Sequence, residues 1–153
     1  MRSIPGGGKT FLANQIKKQA EEAGKTAVIH STDSYFMKNG VYDFEPDKLG
    51  YYHKCNQAAC EGSMLKQEEI IVIDNTNITW KDMKRYIELA NEYGYRVVFV
   101  YPQTSWRMDA NECFKRNTHD VPLEAIQRMV KRFIPHNELL KTVWNEFPNL
   151  EVV

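Results

Sequence analysis

At 153 residues, 42% hydrophobic and 26% charged, the chain has the make-up of an ordinary soluble globular protein and the length of one domain, expected to span residues 1–153. Twenty basic and twenty acidic residues cancel, which excludes a global basic field and leaves nucleic acid only a local patch. The three cysteines form no C-x-x-C pair and no zinc spacing, no apolar run can span a bilayer and no signal-peptide pattern opens the chain. A cytoplasmic or nuclear protein with free thiols and no membrane partner is expected.

In chain order, a glycine-rich loop over residues 1–9 gives way to a helix over about 10–23, with Phe11, Leu12 and Ile16 on one side and Gly24 as its stop. Residues 26–30 predict a short strand. The following stretch, with Asn39-Gly40 and Pro46, reads as loop, and Asp47 is placed to cap a helix reaching about residue 67. Residues 70–73 are a wholly apolar strand. Thr79 caps a helix ending near Gly94, residues 95–101 form the next strand, and helices are expected over 105–117 and 122–133. A last short strand falls at 150–153. Strands separated by helices predict βαβ units and an α/β fold with a mostly parallel sheet. The continuous apolar runs suit strands covered on both faces.

Ser3-Ile4-Pro5-Gly6-Gly7-Gly8-Lys9-Thr10 follows the Walker A pattern except at its first place, where Ser3 stands for glycine. Glycines let successive backbone N–H groups face one anion, and the helix that follows adds its positive end. Pro5, Gly6, Gly7, Gly8, Lys9 and Thr10 are therefore expected to cradle the phosphates of ATP, with Lys9 on the β- and γ-phosphates and the Thr10 hydroxyl on Mg2+. Only Met1 and Arg2 precede the loop, where a P-loop ordinarily follows a buried strand, so the first strand is expected to be truncated.

Asp33, at the carboxyl end of the strand over 26–30, is the candidate general base for an attacking hydroxyl, or else a turn cap. Asp74 ends the strand over 70–73 as a Walker B aspartate does and either holds the metal or hydrogen-bonds the turn. Arg116 precedes a helix whose face bears Arg128, Lys131 and Arg132; the group reads as a lid over phosphates or as a solvated charged face. Tyr35, Phe36, Tyr42, Phe44, Tyr51 and Tyr52 either stack nucleobases or form core. His53 is expected to be a hydrogen-bonded structural residue.

The segments IPGGGKT, HSTDSYF, Gly40–Phe44 as G-x-Y-x-F, IVIDNTN, ELANEYGYRVVFVYP, KRNTHDVP and IQRMVKR, in this order from Ser3 to about Phe133, resemble the P-loop family of Nedd-four-binding-protein-two-like proteins. They are more distantly similar to the polynucleotide 5′-hydroxyl kinases. The resemblance implies a P-loop NTPase three-layer fold with a helical lid. It implies Lys9 and Thr10 as phosphate and metal residues, Asp33 as the aspartate that activates the acceptor, and Arg116 as the lid arginine. Those kinases carry an arginine three residues after the base to grip an acceptor phosphate, and Phe36 stands there instead.

The chain also resembles the N-terminal half of the myelin-type cyclic nucleotide phosphodiesterases. It lacks their paired H-x-T/S motifs, so no phosphodiesterase activity is expected. Three readings follow: a kinase for the 5′-hydroxyl of a nucleic acid or nucleotide, a nucleotide-binding interaction module with little turnover, and a small-molecule kinase.

Overall fold

The two apolar runs lie side by side in the computed structural model, which describes residues 1–153. Ala27–His30 (β1) pairs in parallel with Ile70–Ile73 (β4), Ala27 opposite Ile70 and His30 opposite Ile73. The fold is α/β with a parallel sheet and six helices. The chain divides into two compact units, one of residues Thr10–Asn75 and one of Met1–Lys9 together with Thr76–Val153. No helix is long and apolar enough to cross a membrane.

In the first of these units, helix α1 (Lys9–Glu22) turns Ala13 and Ala20 inward. It ends where expected, because Gly24 takes φ 75° and lets the Lys25 N–H bond the Ala20 carbonyl at 2.9 Å. The segment read as loop holds more order than expected. A 3-10 turn, Thr32–Phe36, leads into a hairpin of Met37–Lys38 (β2) and Val41–Tyr42 (β3). Asn39 and Gly40 both have positive φ, the geometry of a two-residue type I′ turn that Asn-Gly favours. Asp47 does not cap the next helix. It sits inside a short 3-10 turn opened by Pro46, and α2 (Leu49–Leu65) starts from Lys48 without a side-chain cap. Helix α2 buries Asn56, Cys60, Ser63 and Met64, a single face at helical spacing.

In the other unit, residues 1–3 take a strand-like place. Arg2 N–H bonds the Val100 carbonyl at 2.8 Å and Ser3 N–H bonds that of Thr76 at 3.2 Å. The strand expected over 95–101 is reduced to a parallel bridge between Val97 and Val152, extended by the Phe99 N–H to Val153 carbonyl bond of 2.9 Å. Helix α3 (Trp80–Glu92) begins as Thr79 predicts, with the Asp82 carboxylate accepting the Thr79 N–H at 2.8 Å.

The helix expected over 105–117 shrinks to α4 (Ala110–Arg116), because Asp109 caps it by accepting the N–H groups of Asn111 and Glu112. Helix α5 (Leu123–Arg132) follows as expected. A sixth helix, α6 (His136–Glu146), occupies what reads in the sequence as an irregular tail. Met83 and Ile87 of α3, Leu139 and Val143 of α6, and Leu150 form one apolar cluster; Ile4, Cys113 and Ile126 form a second, against which Trp106, Val130 and Phe133 pack.

Candidate phosphate-binding site

The glycines of the loop are required by what surrounds them. Gly6 and Gly8 have φ 77° and 98°, which side-chain-bearing residues rarely adopt. A Cβ on Gly6 would lie 2.0 Å from the Cys113 carbonyl oxygen, and one on Gly7 would lie 2.0 Å from Ser3 Oγ. Ser3 is 2% exposed and its hydroxyl has no hydrogen-bond partner. The departure from the glycine pattern at position 3 is thus matched at position 7, where the absent side chain leaves room for the serine.

The loop is fastened from outside. Thr104 Oγ1 donates to the Gly7 carbonyl at 3.1 Å and Trp106 Nε1 donates to that of Gly6 at 3.3 Å. The Gly7 N–H and Lys9 Nζ both reach the Ile4 carbonyl, at 3.2 and 3.1 Å. Beneath the loop, Arg2 is 1% exposed. Its guanidinium donates to the carbonyls of Asn77, Ile78 and Ile134 and to the Tyr101 hydroxyl, and its face lies 4.5 Å from the Phe133 ring centroid.

Arg116 sits at the end of α4 with its guanidinium 4.4 Å from the Trp106 ring centroid and Nη2 3.1 Å from Glu112. The Cys113 thiol, one turn earlier, is pushed up mainly by burial and then by Asp109, while the positive charges of Lys9 and Arg116 pull it down. The backbone of the same cysteine is what faces Gly6. Arg128, Lys131 and Arg132 lie on the exposed side of α5.

In the unit of residues 10–75, Thr10 and Asp74 come together, the Thr10 hydroxyl donating to Asp74 Oδ2 at 2.8 Å. Asp74 is 5% exposed, yet its Oδ1 has no hydrogen-bond partner. A buried carboxylate oxygen left this way is costly. A hard cation with its water shell fits the pair, since magnesium takes few protein ligands and keeps its waters. No cluster of three or more His, Cys, Asp or Glu residues offers an all-protein cage.

Asp33 lies within the 3-10 turn Thr32–Phe36, one residue past its start, and Ser31 holds the cap position. The Tyr42 hydroxyl donates to Asp33 Oδ1 at 3.2 Å. Burial first, then the charge and hydrogen bond of Asp33, push the Tyr42 phenol well above its ordinary value, so it remains protonated at neutral pH. Phe36 is buried, 4.8, 4.9 and 6.0 Å from the rings of Tyr52, Phe44 and Tyr42. It is core, while Phe44 and Tyr51 of the same stretch are exposed. His53 Nδ1 pairs with the Thr32 hydroxyl at 3.1 Å, and His30 Nε2 with that of Ser63 at 2.8 Å.

Sequence reasoning did not single out Thr104, Trp106 or Cys113, since no pattern marks residues that support a loop from 97 to 107 positions away. Tyr42 carried a signal as the middle of the G-x-Y-x-F segment and as one of the aromatics expected to stack or form core, but its hydrogen bond to Asp33 was not foreseen.

A glycine loop opening a helix on an α/β scaffold, with an aspartate hydrogen-bonded to the threonine that follows the lysine, defines the nucleotide-binding P-loop class. A family pattern described as an AAA domain matches residues 1–136, and the chain belongs to this family. It is 38% identical over 133 residues, 87% of its length, to NEDD4-binding protein 2 of Homo sapiens. It is 27% identical over 140 residues (88%) to the 2′,3′-cyclic-nucleotide 3′-phosphodiesterase of Rattus norvegicus, and 30% identical over 125 residues (79%) to the bifunctional polynucleotide phosphatase/kinase of Schizosaccharomyces pombe. The matches cover 7%, 31% and 29% of those proteins respectively.

Proposed function

We propose that the chain is an ATP-dependent phosphotransferase that passes the γ-phosphoryl group to a hydroxyl, in first place the 5′-hydroxyl of a polynucleotide or nucleotide. The observation that carries the reading is the pair of Thr10 and buried Asp74 directly after the glycine loop, with a carboxylate oxygen left for a metal-bound water. In this reading residues 1–153 act as one functional domain, because the segment that grips the phosphates runs on through Lys9 and Thr10 into α1. Lys9 and the loop N–H groups hold the β- and γ-phosphates. Thr10 and Asp74 hold Mg2+, which supplies neutralisation of the charge that builds on the phosphates. Asp33 takes the proton of the acceptor hydroxyl as its oxygen bonds to the γ-phosphorus, the bond to the β-phosphate oxygen breaks, and ADP leaves. Arg116 offsets the charge on the transferring group.

The test is transfer from γ-labelled ATP, with magnesium, to 5′-hydroxyl RNA and DNA oligonucleotides by the wild type and by Asp33→Asn. Label is expected to move with the wild type alone, while both proteins bind ATP alike by calorimetry. Undiminished transfer by Asp33→Asn would remove Asp33 from the mechanism.

A second reading, a nucleotide-binding interaction module, has one observation in its favour. Phe36, at the position where the polynucleotide kinases are expected to hold an arginine, is locked in an aromatic cluster, and Lys38 nearby is tied to Asp43 and Glu45. Phe36 offers no cation to an acceptor phosphate, and Lys38 would have to leave two carboxylates to do so. The name of the human relative also points to a protein partner. ATP binding without transfer to any oligonucleotide would select this reading or the small-molecule kinase.

A further inference from the structure

We infer that Trp106 is a positioning residue that braces the phosphate loop and docks the Arg116 guanidinium, and that a bound nucleoside triphosphate draws Arg116 off its indole face. This rests on the nucleotide-binding reading above.

Trp106 is committed at three points, two of them on its indole. Its edge N–H donates to the Gly6 carbonyl at 3.3 Å. The backbone carbonyl of the same residue accepts the Asp109 N–H at 2.8 Å and the Cys113 thiol at 3.3 Å, fixing its main chain to the start and middle of α4. Its face carries Arg116 at 4.4 Å. Filling space beside Ile4, Cys113 and Ile126 would need only an apolar side chain. An edge donor joined to an electron-rich face is what tryptophan adds.

The docked state is weakly held. The Arg116 side chain is 45% exposed and its other partner, Glu112, is an i,i+4 surface pair, an interaction of small net value in water. Phosphate oxygens bind a guanidinium through paired, charge-assisted hydrogen bonds. Lys9 Nζ bonds the Ile4 carbonyl of the loop at 3.1 Å, and Arg116 stands on the indole that bonds Gly6 of the same loop, so both cations border the loop that would hold a polyphosphate. The exchange swaps Glu112 and an indole face for phosphate oxygens, and Trp106 keeps the guanidinium near the loop until then.

The chain has three tryptophans, so 5-fluorotryptophan labelling gives a three-line 19F spectrum in which Trp106→Phe assigns the line of interest. Saturation with magnesium and a non-hydrolysable ATP analogue is expected to shift that line in the wild type. In Arg116→Gln the line is expected to be displaced before ligand is added and to move much less on binding. Trp106→Phe, which keeps a ring but loses the N–H donor, is expected to weaken the analogue roughly threefold to tenfold by calorimetry, the worth of one hydrogen bond, with an unchanged circular dichroism spectrum.

Normal affinity in Trp106→Phe, together with an unmoved line in the wild type, would overturn the inference. Weaker binding with an unmoved line would leave only a brace and overturn the hand-over of Arg116. If the wild type bound no analogue by calorimetry, the nucleotide-binding reading would fail first and take this inference with it.

Discussion

Ser3 and Gly7 exclude each other's alternatives. A methyl group on Gly7 meets the serine hydroxyl at 2.0 Å, a contact that one side chain can relieve, whereas a methyl group on Gly6 meets the backbone of Cys113 at the same distance, which no side-chain change can relieve. Gly7→Ala is therefore expected to lower the melting temperature and weaken ATP binding, and adding Ser3→Gly is expected to restore most of both. Gly6→Ala, with φ 77° as a second obstacle, should not be rescued in this way. Thermal melting and calorimetry on the four variants check the contrast. The sequence shows Ser3 as a flaw in a motif. Only the fold shows its compensation, because the pairing lies in the curl of the loop and not in the order of residues.

At the scale of elements, α4 has the most to lose from a single atom. Asp109 Oδ1 accepts two N–H groups, at 2.9 and 3.0 Å, and the helix it starts has only seven residues. Asp109→Ala is expected to cost about 1 kcal/mol of stability in chemical denaturation. It should also weaken ATP binding, because Cys113 and Arg116 ride on the same helix.

The elements that were legible in the sequence are β1 and β4 as apolar runs, α3 with Thr79, and α5 with Ile126, Met129 and Val130 on one face, while α1 was legible by its stop at Gly24 and not by its apolar residues, since Phe11 is exposed and Ala13 and Ala20 are buried instead. Those that were not had conflicting signals. Leu139 and Val143 give α6 a buried stripe, but Pro135 and Pro148 around it suggest an irregular tail, although proline before the first turn is a common helix start. Asn39-Gly40 reads as part of a loop, yet it closes a hairpin. Asp109 cut α4 short from inside a stretch that reads as continuous helix. Of the candidate site, Thr10 and Asp74 were legible as candidates because one opens a helix and the other follows a strand, and the fold joins them by a hydrogen bond. Trp106 was not, because its partners are set by tertiary packing.

At the scale of the whole molecule, stability carries a titrating group. Burial lowers the His30 imidazole below its ordinary 6.5, and its Nε2 is engaged with Ser63. The folded state thus holds the proton less readily than the unfolded chain. The sign follows from linkage: the stability is fully present above 6.5 and declines as pH falls through the lowered value, where the unfolded state binds the extra proton. Melting temperature is expected to drop between pH 7 and 5, and to drop less in His30→Gln. Equal slopes for the two proteins would assign the acid sensitivity to other groups.

Arg2 sets a schedule as well as a contact. Its guanidinium bonds the Ile134 carbonyl across 132 positions of sequence, and the unit that holds the loop joins Met1–Lys9 to Thr76–Val153, whereas the other unit is the unbroken run Thr10–Asn75. A chain emerging from the ribosome with its N-terminus first can complete the unbroken run while still attached. The phosphate loop, made before that run, must wait for residues as far on as Ile134 that seat it. Until then a nascent chain carries the motif without its seat, and nucleotide is expected to bind only once residue 134 has emerged.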